Sequence, residues 1–420
     1  ATVTDRRNEV IYKIDKKVVQ VSGNPNAVGS TAVEVLEATP GIEVDDEGNV
    51  MLRGSENFTV LINGKPTVLS GNDALKQIQA SSIENIEIIT NPSARYDPDG
   101  LTGIINIILK KDDKGGFNGM IDVSAGNFNR YSASINLNYR KSIHSITGGY
   151  DFNQNARGGE SYANRKTYTL NDTIERTEDG TRSRRGLSHN FKLGYDVDLT
   201  KKTSFSISGL MRIDGGNSYS ESEQERLIYS TQTRSTEVNK NEESSDKNNY
   251  DINGTFLHKF DTEGHELQII ANASGNFENE FIRNYNEIRP AYTINEWFDT
   301  SKTTENYETF QIDYSKPFGL FKLETGFKSR IRSIDFFYRN SNNPYQPQQY
   351  GDNNFLYDDG IHALYLMGSS KLEKWEFQLG LRTEYYVLNT YQKANGTKNN
   401  KEDVNFFPTL HISKIGRAHV

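Results

Sequence analysis

From about residue 113 onward the chain alternates apolar and polar residues with a period of 2, the period of a β-strand. YSASINLNY places Tyr131, Ala133, Ile135, Leu137 and Tyr139 on one side and Ser132, Ser134, Asn136 and Asn138 on the other. FKLGYDVDL sets Phe191, Leu193, Tyr195, Val197 and Leu199 against Lys192, Gly194, Asp196 and Asp198. The pattern returns over 205–211, 267–277, 321–327 and 375–381. Short turns such as Thr200-Lys201-Lys202 alternate with long polar stretches, among them NARGGESYANRKTYTLNDTIERTEDGTRSRRG. Short turns at one end and long loops at the other mark an outer-membrane barrel, here with about a dozen strands between residues 113 and 414. A soluble sandwich or propeller also alternates. The strongly polar second face, the Tyr and Phe at strand ends and the unequal loops favour the barrel. Tyr131, Ile135, Leu137, Phe191, Leu193, Val197, Phe205, Trp375, Phe377 and Leu379 are expected to face lipid.

The first 112 residues follow another grammar. IYKIDKKVVQV (11–21) reads as a short strand. STAVEVLEATPG reads as a helix with Ser30 as N-cap, Val33, Leu36 and Glu37 on one face, and Pro40-Gly41 as the stop. IEVDDEGNVMLRG and FTVLINGKPTVL read as hairpins, the second around Asn63-Gly64. NDALKQIQASSIENIEIIT reads as a helix followed by a strand over 83–90. The densest apolar run, GIINIIL, follows the polar turn NPSARYDPDG (91–100) and stops at Lys110-Lys111. Gly100 and Gly103 suit a turn or a close backbone approach. Together these elements describe a compact α+β unit.

Composition sharpens both readings. Only 34% of the 420 residues are hydrophobic, yet the chain holds 23 Tyr and 21 Phe. Mean hydropathy is −0.73. Disordered chains are poor in aromatics, so low hydropathy here reflects strands with one polar face. The net charge is −8 and the pI about 5.6, and no basic domain stands out, which argues against nucleic acid as a partner. The absence of cysteine excludes a disulfide framework, Cys-based zinc sites and a Cys nucleophile. No apolar stretch is long enough for a transmembrane helix.

The segment IENIEIITNPSARYDPDGLTGIINIILKK resembles the plug-domain end of TonB-dependent outer-membrane receptors. The matching residues are Ile83, Glu84, Ile86, Glu87, Pro92, Ser93, Ala94, Tyr96, Gly100, Gly103, Ile105, Asn106, Ile107 and Lys110. TPGIEVDDEGNVMLRG and VLINGKP are similar to the plug's other elements. NPSARYDPDG with LINGKP resembles the outer membrane β-barrel branch common in Bacteroidetes-type bacteria more than the classical siderophore receptors. The chain lacks the turn of the starch-uptake type, which puts a surface lipoprotein partner in doubt. The resemblance implies an α+β plug domain (1–112) followed by an antiparallel transmembrane β-barrel (113–414). That barrel is incomplete at about 12 of about 22 strands. It implies a Gram-negative outer membrane, a TonB complex as partner and an extracellular ligand. The family's signal peptide and TonB box are not found, so the chain is expected to be a fragment. Residues 415–420, IGRAHV, match one frame of a sequencing adapter and are expected not to be native sequence.

Other chemistry is sparse. The seven histidines (His144, His189, His258, His265, His362, His411, His419) show no metal-protease spacing and read as surface, lumen or girdle residues. YGDNNFLYDDG (350–360) holds three Asp, a donor set that suits Ca²⁺, against the plainer reading of a solvated loop. RTEDGTRSRRG (176–186) suits an anionic ligand, a signal weakened by acidic tracts elsewhere. No nucleophile elbow, phosphate loop or catalytic constellation occurs. The expectation is no enzyme, no cofactor, no metal, and no assignable catalytic or ligand-binding residue. Two functions stand: active uptake driven by plug rearrangement, and a non-transport surface barrel for adhesion, secretion or signalling.

Overall fold

A computed structural model describes residues 10–12, 16–22, 32–45, 49–56, 58–62, 64–66, 72, 75, 78, 80, 83–89, 103–109, 115–127, 129–170, 172–260, 262–341 and 351–414. The turn at 91–100, the N-cap at Ser30 and the tail 415–420 lie outside them.

The N-terminal unit is a mixed sheet. Its strands are β1 (Val10–Tyr12), β2 (Lys17–Gln20), β5 (Phe58–Ile62), β6 (Lys65–Pro66), β7 (Ile83–Ile89) and β8 (Gly103–Leu109). They run in the order β1-β2-β7-β8-β5-β6. The expected single strand over 11–21 is therefore two paired strands. Helix α1 (Ala32–Glu37) and the hairpin β3 (Ile42–Val44) with β4 (Val50–Leu52) pack on the sheet. Ala32, Val33, Val35 and Leu36 are buried, whereas Glu37 is exposed, contrary to its expected place on the packing face. Its charge turns to water, and Val35 takes the inner position. The helix expected over 72–80 falls mostly outside the described residues.

The position of β8 explains its sequence. It lies between β7 and β5, antiparallel to one and parallel to the other. Ile105 and Ile107 enter the main core with Val19, Leu36, Leu52 and Ile86, while Ile104 joins Leu61 and Ile89 on the opposite face. A strand buried on both faces reads as a continuous apolar run rather than an alternation. Gly103 keeps the entry open: a Cβ there would sit 2.6 Å from the Ile89 carbonyl oxygen and from Leu52 Cδ2.

Among the described residues the second unit is one antiparallel sheet of twelve strands. They are β9 (Gly116–Gly126), β10 (Arg130–Lys141), β11 (His144–Tyr168), β12 (Thr173–Val197), β13 (Thr203–Ile228) and β14 (Thr233–Lys259). The rest are β15 (Glu266–Arg289), β16 (Thr293–Phe318), β17 (Phe321–Ser341), β18 (Gly351–Leu372), β19 (Trp375–Gln392) and β20 (Thr397–Lys414). Each pairs with its sequence neighbour. The order runs unbroken from β9 to β20, and those two are not paired with each other.

Where they are described, the long polar stretches expected as loops are largely strands. Pairing of β11 with β12 runs without a register shift from His144↔Val197 to Tyr168↔Thr173. About ten residues of tilted strand cross a bilayer, so much of each 25-residue strand stands beyond it. There both faces meet water, and hydrophobic alternation disappears although the backbone ladder continues.

Candidate functional site

The two faces of the large sheet can be told apart from one contact. Gln268 Nε2 donates to the Gly64 carbonyl oxygen at 3.5 Å, so the face of β15 that carries Gln268 and Ser274 is the plug side. Ser274 opposes Asp251, Asp251 opposes Leu210, and Leu210 opposes Lys192, which extends that face back to β12. The lipid side is the other one. A single register row there reads Phe117, Tyr139, Ile146, Tyr195, Ile207, Gly254, Ala271 and Phe310 from β9 to β16.

Of the residues expected to face lipid, Tyr131, Leu137, Phe191, Leu193, Phe205, Trp375 and Leu379 are exposed. Ile135 and Phe377 are half-buried on the same face. Val197 is the exception, only 7% exposed. In register it is flanked on the same face by the larger residues His144 and Phe205.

Histidines pair with hydroxyls on that lipid side. His144 Nδ1 lies 2.7 Å from Tyr195 Oη, and His265 Nε2 lies 2.9 Å from Tyr314 Oη. His189 meets Tyr150, His258 meets Thr203 and His362 meets Ser329, each at 2.9 Å. Amphipathic rings with a hydrogen-bond partner on a lipid-facing surface suit the girdle reading among those the sequence allowed. His411 instead lies on the plug side, its Nε2 buried without a partner among the described residues. His419 lies outside them.

On the plug, a polar path runs from its core to the wall. Asn106 interrupts GIINIIL and is buried. Its Nδ2 donates to Glu87 Oε2 at 2.9 Å, and its Oδ1 accepts from Gly64 N–H at 2.8 Å. Lys16 Nζ donates to Glu87 Oε1 at 2.7 Å. Gly64 adopts φ +76°, a conformation that favours glycine, and presents its carbonyl to Gln268. Lys16, Glu87, Asn106, Gly64 and Gln268 thus form one hydrogen-bonded line across the seam.

The wall is polar where it meets this line. Tyr365 lies across Gly326 and donates to Asp313 Oδ1 at 2.6 Å, so Gly326 is the gap that admits the ring. Arg382 and Glu384 form a buried ion pair at 2.6 Å. Arg332 holds Asp359 at 2.6 Å and Tyr357 Oη at 3.0 Å. These contacts satisfy polar groups that burial would otherwise penalise.

Of the three Asp in 350–360, the described side chains are those of Asp358 and Asp359. Asp358 and Asp359 stand on opposite faces of β18, and Asp359 is neutralised by Arg332. No group of three metal-ligating side chains occurs among the described residues. Sequence reasoning matched Glu87 and Asn106 but missed their partnership with Lys16 and Gln268. The available signal was an Asn in an otherwise apolar strand.

Residues 21–104 match the family described as TonB-dependent Receptor Plug Domain, and residues 258–415 match the Outer membrane protein beta-barrel family. The vitamin B12 transporter BtuB of Vibrio vulnificus (strain YJ016) is 34% identical over 89 residues, covering 19% of this chain and 14% of that protein. Among solved structures, the ferric citrate transporter FecA aligns over 96% of this chain and 78% of its own, at 11% identity and TM-score 0.30. The ferric yersiniabactin uptake receptor FyuA from Yersinia pestis aligns over 96% and 79%, at 11% identity and TM-score 0.33. The core, the seam and the two family matches converge: this chain belongs to the TonB-dependent receptors of the Gram-negative outer membrane, with a plug domain followed by β-barrel strands.

Proposed function

We propose that the chain takes up a ligand across the outer membrane by rearrangement of its plug, with residues 1–112 as the plug and 113–414 as barrel wall. The observation that supports this most is the division of forces at the seam. The main apolar core closes within the plug, between Val19 and Ile107. Among the described residues, the plug meets Gln268 through a backbone carbonyl. Exchanging such a hydrogen bond for water costs about 0.5–1.5 kcal/mol, so the plug can shift against the wall without exposing its core. Similarity to proteins described as transporters and uptake receptors favours the same function. A TonB complex would supply the work by edge-on strand pairing, and the ligand would enter from the side of the long strand extensions.

The test needs no ligand. Gly64→Cys introduces a thiol into a stretch of 420 residues that holds no cysteine. Its modification by a membrane-impermeant maleimide is followed in cells with and without a proton uncoupler. Faster labelling in energised, TonB-containing cells is the expected result. Equal rates in energised, uncoupled and TonB-deficient cells would favour a static surface barrel.

A further inference from the structure

The plug-side face of the β11–β13 extensions carries an arginine ladder. Arg157 of β11 directly opposes Arg184 of β12. Eight residues further along β12, Arg176 opposes Arg165 on one flank and Arg226 on the other. Arg182 lies between the two rows, opposite Gly159 and Ser220. The register has no shift, so all six side chains share the face that carries Lys192 and, through it, Gln268.

Three observations make this more than a solvated charged surface. Like charges directly opposite one another on a sheet destabilise it, because their Cβ atoms stand only about 5 Å apart. Over 155–165, 176–186 and 216–226 that face holds one carboxylate, Glu178, and among the described residues none of the six arginines has an ion-pair partner. The Arg226 Nε is buried and makes no hydrogen bond. By contrast the opposite face of the same hairpin is paired, with Lys166 on Glu175.

Space accompanies the charge. A cavity of about 570 Å³ lies between the rows, lined on this face by Ser161, Gly180, Arg182, Ser220, Ser222 and Trp297. Small side chains leave the floor open, and the arginines stand at its two ends. A guanidinium fork donates two parallel hydrogen bonds to one oxyanion.

We propose that this ladder is a binding site for an elongated soluble ligand bearing several oxyanion groups, phosphate or carboxylate. The ligand would replace arginine–arginine repulsion with bridging hydrogen bonds. The site deepens the uptake proposal by naming its ligand class, and rests on that proposal for its purpose. Binding by purified receptor requires no energy coupling, so a receptor that binds these anions without importing them would count against uptake alone.

The experiment is calorimetric titration of the full receptor in detergent at physiological salt with tripolyphosphate and, separately, tricarballylate. Thermal melting is followed in parallel. Saturable binding of either anion is expected, and the one preferred identifies the group. Arg176→Gln and Arg157→Gln should each weaken it about tenfold, the loss of one charged hydrogen bond. Both should raise the melting temperature of the ligand-free receptor by relieving repulsion. Arg185→Gln, the same charge change on the other face, should leave affinity unchanged. The proposal is overturned if neither anion binds, if Arg185→Gln weakens binding equally, or if Arg176→Gln and Arg157→Gln both lower the ligand-free melting temperature.

Discussion

Asn106 sits in the most apolar strand of the chain, and its amide serves two partners at once. Replacing it with leucine removes a donor from Glu87 and an acceptor from the Gly64 N–H. Leaving buried polar groups unmade costs about 1–3 kcal/mol, so Asn106→Leu should destabilise the plug by that amount despite its greater hydrophobicity. Hydrogen exchange of the β7 and β8 amides would measure it; unchanged protection would show that water replaces the amide. Gly326 makes the matching case on the wall. A Cβ there would lie 2.6 Å from Tyr365 Cε1 and against the Ile312 carbonyl. Overpacking of this kind costs about 1–3 kcal/mol. Gly326→Ala should therefore lower barrel stability more than Tyr365→Phe, which keeps the ring in place and loses the bond to Asp313. The apolar weight of GIINIIL was legible because burial on both faces leaves an unmistakable run. The role of Asn106 was not, since one end of its path is a side chain 204 residues from Gly64.

At the scale of strands, the lipid band and the extensions obey different physics. Leu193 is 67% exposed on the lipid face near the short-turn end, and Tyr162 is 69% exposed on the same face far out on β11. An arginine on the lipid face near the bilayer midplane costs about 2–4 kcal/mol, and close to nothing outside the bilayer. Leu193→Arg should therefore cost that much in reversible unfolding from lipid vesicles, and Tyr162→Arg should cost little. Equal effects would mean that the band is misplaced. This also explains why the sequence disclosed the strands near Leu193 and not those around Tyr162: alternation reports contact with lipid, and the outer halves have none. At their tips, Asp172 accepts from the Ser230 hydroxyl and, at 3.0 Å, from the Ser230 N–H, joining two hairpins. Those hydrogen bonds hold its carboxyl below the usual 3.8. A depressed pKa gives a contribution that is complete above the unfolded value and lost as pH falls through the folded one. The Ser230 amide should thus stay protected from exchange at pH 5 and lose protection progressively below about 3.8, whereas Asp172→Asn should remove that pH dependence.

For the whole molecule, the issue is whether plug and wall are one cooperative unit or two. The sheet β9–β20 is held by continuous backbone ladders between neighbours, whereas the plug closes its own apolar core and meets Gln268 through a carbonyl. Denaturant sensitivity scales with the surface exposed on unfolding. The barrel's lipid-facing surface stays in detergent, but the plug's core is exposed to water when it opens, so the plug should yield first. The chain provides a clean readout, because both tryptophans, Trp297 and Trp375, lie in the barrel strands β16 and β19. Within these 420 residues tryptophan fluorescence therefore follows the wall, and the thiol of Gly64→Cys follows the plug. In urea, Cys reactivity should rise to its maximum while the tryptophan spectrum is still native. A separation of this kind is what a movable plug requires: its disengagement must cost less than the barrel's unfolding. Coincident transitions would mean that the polar line from Lys16 to Gln268 locks the two units together, and uptake would then need some route other than movement of this plug.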